Sequence, residues 1–399
     1  MNKAAPKLRF NEFSNNWNKA PFGELVTVSK GKFVPEKEDN MPCIELEHIE
    51  KNTGRVLGSI DSKFQKSTKN KFNKDQVLFG KLRPNLRKYA QAPFDGVCST
   101  EILPLESAQL TNSFLLNLLQ TEKFFKVSTI SSGSKMPRAD MDFINAYPFS
   151  FPDSQTEQQK IADFLSSVDK KISLLKEKHA LLAQYKKGVM QKLFKQEVRL
   201  KDENGNAFPD WQETRFDKVF ERVTRKNKED NQNVLTISAQ RGLINQEKYF
   251  NKSVSAKNVT GYYLLERGEF AYNKSYSKGY PMGAIKRLNN YNKGVVSTLY
   301  ICFKIHGEQH DEFWEQYFEA GNLNREINKI AQEGARNHGL LNVSVTEFFQ
   351  DIKVQMPSKK EQKRIAEFLG ALDAKINAVN EQVELTQIFK KGLLQQMFV

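Results

Sequence analysis

The chain has 399 residues, 39% hydrophobic and 27% charged, a globular composition that excludes a disordered polyelectrolyte and suggests two or three folded units. Sixty-one Lys and Arg against forty-seven Asp and Glu leave a formal charge of +14, which points toward a polyanion, most often nucleic acid. Three widely spaced cysteines make no disulfide framework, no apolar run is long enough for a membrane span, and the opening residues lack a secretory apolar stretch, so a reduced, cytoplasmic protein is expected.

In chain order, Trp17 precedes the run Phe22-Gly23-Glu24-Leu25-Val26, and Asp75 to Phe79 reads as a strand. Nine cations lie between Lys63 and Lys88 (Lys63, Lys66, Lys69, Lys71, Lys74, Lys81, Arg83, Arg87, Lys88), opposed by Asp75 alone. A Gly96-Val97-Cys98-Ser99-Thr100 break, a helical patch at Thr111–Val127 and a small-residue loop Ser131-Ser132-Gly133-Ser134-Lys135 follow, and Phe151-Pro152 closes the module. Next, Ile161, Leu165, Val168, Ile172, Leu175, His179, Leu182, Lys186, Val189 and Leu193 step by fours and threes. That spacing marks a coiled-coil seam on a long helix without internal proline.

The second half repeats the first. Glu157-Gln158-Gln159-Lys160-Ile161-Ala162-Asp163-Phe164-Leu165 matches Glu361-Gln362-Lys363-Arg364-Ile365-Ala366-Glu367-Phe368-Leu369 at an offset of 204 residues. Asp169 then matches Asp373, Ile172 matches Ile376, and Lys186-Lys187-Gly188 matches Lys390-Lys391-Gly392. The second seam runs Ile365, Leu369, Leu372, Ile376, Val379, Val383, Thr386, Lys390, Leu393 and Met397. Two matching seams in one chain can bury each other, and His179, Lys186, Thr386 and Lys390 read as polar interruptions that fix register. Upstream, Trp211 and Phe216, a strand-like Gly268 to Lys274 segment, Gly294 to Thr298, a strand at Tyr300 to Ile305, a helical patch at His310–Gln332, a small-residue loop at Gly334-Ala335-Arg336 and Met356-Pro357 keep the same order. Nine cations again lie between Lys248 and Lys293, at the corresponding part of the module.

Few residues suggest a reaction. Neither a Gly-x-x-x-x-Gly-Lys-Ser/Thr loop nor a Gly-x-Gly-x-x-Gly turn is present, nor the Asn-Pro-Pro-aromatic run of an amino-methyltransferase. Cys302, His306 and His310 could nominally bind a metal, but Cys302 sits in a strand-like run and Gly307 breaks helical spacing between the histidines. Asp351 with Glu361 and Lys363 superficially resembles a nuclease set, yet the other copy of this helix start lacks the lysine. No catalytic residue and no metal site is assigned. Lysines and arginines neutralise phosphates, whereas Arg, Asn and Gln read base edges. Candidate DNA-binding residues are therefore Lys81, Arg83, Asn85, Arg87, Lys88, Lys135 and Arg138 in the first module. In the second they are Asn273, Lys274, Tyr276, Lys278, Tyr280, Arg336, Asn337 and His338.

The run Lys81-Leu82-Arg83-Pro84-Asn85-Leu86-Arg87-Lys88, the two Glu-Gln-x-x-Ile-Ala-x-Phe-Leu helix starts and Gly133-Ser134-Lys135-Met136-Pro137 resemble the specificity subunits of type I restriction-modification enzymes. The second module departs from that pattern, with Asn273-Lys274-Ser275-Tyr276 in place of the Leu-Arg-Pro-Asn run. The resemblance covers essentially the whole chain and implies an α+β architecture. Two target recognition domains, 1–152 and 199–357, would each be followed by a spacer helix, 153–198 and 358–399, and the helices would pair as an antiparallel coiled coil with pseudo-two-fold symmetry. Helix pairing would rest on Ile161, Leu165, Val168, Ile172, Leu175 and Leu182 of the first helix and Ile365, Leu369, Leu372, Ile376, Val379 and Val383 of the second. The resemblance further implies double-stranded DNA as ligand, read as a bipartite asymmetric site, with two methylation subunits and, in the full complex, restriction subunits as partners. S-adenosylmethionine, ATP and Mg would reside on those partners, with no cofactor in this chain. On the residues alone, a coiled-coil adaptor that binds proteins and a stand-alone DNA nuclease or methyltransferase stay open.

Overall fold

A computed structural model describes residues 5–130, 136–238, 241–250, 258–332 and 341–399. The chain folds into two compact units, Met1–Lys178 with Val379–Val399, and His179–Ala378. Each unit therefore holds one globular module and a part of both long helices, so the grouping cuts across a division by chain segment. The reason lies in the cores described below: each module completes its core with helical residues from both ends of the repeat.

In the first unit, Asn18–Pro21 pairs antiparallel with Pro148–Phe151 and joins the two ends of the module. A four-stranded sheet runs in the order Thr27–Val28, Ile102–Glu106, Val77–Gly80, Tyr89–Gln91. A second, five-stranded sheet runs Lys32–Phe33, Lys69–Phe72, Gly96–Cys98, Pro42–Ile44, Ile60–Asp61, with Cys43 beside Val97 in its one parallel pair. The alternation of a strand explains how these layers stack. Val77, Phe79, Tyr89, Leu103 and Leu105 face a core shared with helices, while Leu78, Ala90 and Ile102 face a core shared with the second sheet. The strands are thus buried on both faces, which is why they read as continuous apolar runs.

The second unit repeats this order. Gln212–Arg215 pairs with Lys353–Met356, and the four-stranded sheet runs Phe220–Arg222, Ile301–Ile305, Phe270–Asn273, Ala284–Arg287. Its faces alternate in the same way: Phe270, Tyr272 and Phe303 face the helices, and Ala271 and Cys302 face the other layer. That other layer is here two antiparallel strand pairs, the hairpin Leu235–Ser238 with Gly242–Asn245 and the longer-range pair Tyr263–Glu266 with Lys293–Val296. A parallel bridge between Val234 and Val295 stands where the first module has its parallel strand pair.

Each expected helical patch is two helices. Asn112–Gln120 ends at Thr121, whose hydroxyl accepts from Phe124 N (3.2 Å) and starts Glu122–Ser128. The second module has Asp311–Glu319 and Asn324–Ile330, separated by a turn at Gly321 with φ +75°. The strand expected from Asp75 begins at Val77, because Asp75 sits in the left-handed region at φ 69°.

The long helices are Gln155–Phe194 and Lys359–Met397. Each starts on a serine cap: Ser154 Oγ accepts from Glu157 N and Ser358 Oγ from Glu361 N, both at 3.3 Å. Among the seam residues, Ile161, Leu165, Val168, Ile172, Ile365, Leu369, Leu372, Val379 and Val383 are buried, and Leu175, Leu182 and Ile376 are half-buried. In the first unit, Ile161, Leu165, Val168 and Ile172 share one core with Leu393 and Met397, together with Trp17 and Phe114 of the module. In the second unit, Leu193 and Phe194 share a core with Ile365, Leu369 and Leu372, together with Trp211 and Phe313. The seam is therefore buried by the partner helix and the module jointly, at about 1.5–3 kcal/mol per fully buried aliphatic side chain. Within the second unit, Lys186 on the first helix meets Asp373 on the second, and Arg199, five residues past the first helix's end, meets Glu361 at the second helix's start. The helices run antiparallel.

Candidate nucleic-acid interface

The two basic runs fall at one topological place. Each connects a central strand of the four-stranded sheet to its edge strand: Lys81–Lys88 follows Val77–Gly80 and precedes Tyr89, and Lys274–Gly283 follows Phe270–Asn273 and precedes Ala284. A later segment of each module is pinned against this loop by main-chain bonds. Arg83 N donates to Pro137 O (2.8 Å) and Ala139 N to Lys81 O (2.8 Å) in the first module, and Leu341 N donates to Lys274 O (3.0 Å) in the second. The structure thus brings Lys81, Arg83 and Arg138 together. Lys135, Arg336, Asn337 and His338 lie outside the described residues.

Within the first loop, side chains divide between surface and interior. Arg83 and Asn85 are exposed and make no side-chain hydrogen bond or ion pair among the described residues. Both Arg83 and Arg87 have left-handed backbones (φ 52° and 49°), flanking the short turn Pro84–Leu86. Arg87 turns inward, where its guanidinium meets both oxygens of Glu122 (2.9 Å each) and stacks 3.7 Å from the Phe125 ring centroid. Lys88 also points in: Nζ donates to Leu46 O, and burial, then the charge of Lys51, lowers its pKa. Lys81 is half-buried, and Arg138 is held by Glu101 (3.0 Å).

In the second loop, Lys278 and Tyr276 are exposed, while Asn273 and Lys274 are half-buried. Asn273 Oδ1 accepts from Ser275 N (3.1 Å). Tyr280 donates to Glu319 and accepts from Lys286 Nζ (3.0 Å), and burial with the Glu319 charge raises its pKa. The return of this loop requires glycine: Gly283 has φ +80°, and a Cβ there would lie 2.2 Å from Asn273 O.

Alongside each loop runs a groove against the helices of the same unit. The first, about 930 Å³, is lined by Arg55, Arg87, Asp169, Lys390 and Lys391; the second, about 500 Å³, by Lys186, Lys187, Tyr280 and Glu319. At their floors the repeat places one ion pair twice. Lys390 Nζ meets Asp169 (2.7 Å) and Gln120 Oε1 (2.5 Å), and Lys186 Nζ meets Asp373 (2.7 Å), which also accepts from Gln316 (2.8 Å). Burial raises the Asp169 pKa against the pull of Lys390. The two lysines that interrupt the apolar stripes are thus the cations that pin opposite helices.

A second duplicated network is absent from any reading of the residue pattern. Glu157 accepts from Arg9 (2.7 and 2.8 Å) and from Trp17 Nε1 (3.0 Å); Glu361 accepts from Arg199 (3.2 and 2.8 Å). Gln158 takes Thr111 N (2.7 Å) and donates to Pro152 O (2.9 Å); Gln362 takes His310 N (3.1 Å) and donates to Pro357 O (3.0 Å). The Glu-Gln pair at each helix start is therefore a clamp onto its module. The identity of these two residues across the repeat was the available signal. Glu361 is thus bound to Arg199, and Lys363 pairs with Glu367 on its own helix (3.8 Å). Burial pushes the Cys302 thiol up to about 12, and no group of three His, Cys, Asp or Glu among the described residues could hold a metal.

Residues 14–184 match the family model for the type I restriction modification DNA specificity domain. The chain is 28% identical over 141 residues to the type I restriction enzyme EcoDI specificity subunit of Escherichia coli, covering 35% of this chain and 32% of that one. It is 38% identical over 50 residues to the MjaVIII specificity subunit of Methanocaldococcus jannaschii, 12% of each chain. The matches thus span a third or less of those curated relatives. Among solved structures, the specificity subunit from M. genitalium aligns over 99% of both chains with a TM-score of 0.55 at 16% identity. A chain from a study of type I restriction-modification complex assembly and conformational transition aligns over 96% of this chain and 97% of its own, with a TM-score of 0.55 at 15% identity. Those two likenesses establish the fold along nearly the whole chain, and residues 14–184 match the type I restriction modification DNA specificity domain.

Proposed function

We propose that this chain is the DNA-reading and assembly subunit of a type I restriction-modification complex, with each module reading one half of a bipartite, asymmetric site and no reaction of its own. The observation that carries this reading is the pair of basic hairpin loops, equivalent in topology yet different in side chains. Phosphates would be neutralised by the surrounding lysines, and bases read by the exposed Arg83 and Asn85 in one module and by Tyr276 and Lys278 in the other. A good bidentate Arg–guanine pair is worth about 1–3 kcal/mol of discrimination. A dimeric reader matches its symmetry to a palindrome, whereas a tandem duplication lets the halves diverge.

The helices serve as spacer and docking surface in this proposal. Leu181 and Tyr185 on the first helix and Leu385 and Phe389 on the second are exposed, and they match at the same 204-residue offset. A duplicated apolar face supports the docking of two copies of one partner, here the methylation subunits that would carry S-adenosylmethionine and flip adenine from the duplex. Restriction subunits, with ATP and Mg, would join through them. No helix among the described residues is long and apolar enough to cross a membrane; a cytoplasmic site of action is part of the proposal.

Exchanging residues 1–152 for the same region of a relative tests it. The expected result, read by mapping methylated adenines in cells that also express the partner subunits, is replacement of one half-site with the other unchanged. Turnover by the purified chain without partners would favour a stand-alone enzyme, and salt-insensitive or absent DNA binding by the complex would favour a protein adaptor.

A further inference from the structure

The crossover leaving the edge of the second layer carries a closely similar short string in both modules, identical at three of four positions. After Ile60–Asp61 comes Phe64-Gln65-Lys66-Ser67, and after Gly242–Asn245 comes Phe250-Asn251-Lys252-Ser253. Residues 251–257 lie outside the described ones. Phe64 ends the turn Ser62–Phe64 and is 69% exposed; Phe250 ends the helix Gln246–Phe250 and is 42% exposed. Only four of the chain's 29 phenylalanines are exposed, and these two share one place in the fold. Exposure alone is ordinary for a surface ring; what singles this pair out is its recurrence at one place in both modules while the surrounding residues diverged.

The surroundings decide which kind. Lys63 Nζ lies 5.3 Å from the Phe64 ring centroid, and Tyr249 sits edge-on to Phe250 at 4.7 Å, just after Lys248. Aromatic faces interleaved with lysines suit a polyanion that carries flat apolar rings. The Phe64 segment is also joined to the reading loop of its own module. Gln65 Oε1 accepts from Lys69 Nζ (2.9 Å), the adjacent Asn70 Nδ2 donates to Ile102 O (2.8 Å), and the preceding Glu101 holds Arg138 and accepts from Lys81 N (2.9 Å).

We propose that Phe64, and Phe250 with Tyr249, are base-stacking contacts: each ring lies against the face of a nucleobase where the duplex is locally unstacked. This rests on the DNA-reading function proposed above. Stacking tolerates any base, so these rings supply affinity and hold an opened step, while the hairpin loops supply sequence.

The test uses the full chain assembled with its partner subunits and duplex DNA selected from a random pool. Phe64→Ala and Phe250→Ala are each expected to weaken binding roughly 5- to 150-fold without changing the slope of log K against log salt, and Phe64→Tyr is expected to restore binding. Lys66→Ala is expected to lower that slope by about one phosphate contact. Ultraviolet crosslinking to bromodeoxyuridine-substituted DNA is expected to label Phe64 and the Tyr249–Phe250 pair. Alanine variants that bind DNA within twofold of the parent, or that lose a partner subunit while keeping DNA affinity, would overturn the inference. Crosslinks confined to the hairpin loops would overturn it and leave the DNA reading intact, whereas salt-independent binding by the parent complex would remove the reading itself.

Discussion

Removing one heptad from each long helix, between the two lysine–aspartate pairs, is expected to shorten the gap between half-sites by about three base pairs. A heptad spans about 10 Å of helix, and duplex DNA rises about 3.4 Å per base pair. A whole heptad keeps the seam in phase, so buried positions such as Ile172 and Val379 give way to residues of the same face. Both flanking pairs, Lys390 with Asp169 and Lys186 with Asp373, are retained, so the antiparallel register survives. Methylated-adenine mapping reads the outcome directly. Altered half-site sequences with an unchanged gap would contradict a spacer role for the helices.

Glu157→Leu is expected to destabilise the first unit by about 3 kcal/mol, and Glu361→Leu the second by about 2 kcal/mol. Removing Glu157 leaves Arg9 unpaired and Trp17 Nε1 without its acceptor in a nearly closed site. The second unit has less to lose, because Trp211 Nε1 makes no hydrogen bond among the described residues. Gln159→Ala, on the exposed side of the same helix start, is expected to shift stability by less than about 0.5 kcal/mol. Denaturant unfolding followed by tryptophan fluorescence separates the units, since Trp17 lies in the first and Trp211 and Trp314 in the second. Equal stability of all three variants would show that the Glu-Gln starts do not clamp helix to module.

The repeat made the architecture readable. Seam residues from Ile161 to Leu193 and from Ile365 to Met397 obey one periodicity, and a helix is a local structure that periodicity suffices to place. Strands such as Val77–Gly80 were legible as runs, but not the two different cores their alternate residues face, because each core is assembled from segments distant in sequence. Charge counting placed the basic loops without saying which cations are free. Arg87 and Lys88 differ from Arg83 and Asn85 through the left-handed turn at positions 83 and 87 and through the acceptors Glu122 and Leu46, which no local pattern announces. Lys186 and Lys390 were visible as interruptions, and their partners Asp373 and Asp169 as matched residues. Only the antiparallel register joins them across the two copies.

The most direct test of the central claim is a genome-wide map of methylated adenines in cells with and without this chain, its partner subunits present in both. The account predicts methylation that depends on the chain, at a motif of two unlike half-sites separated by a fixed stretch of unspecified sequence, with one adenine modified in each. A single continuous motif, or a methylation pattern unchanged when the chain is absent, would contradict it.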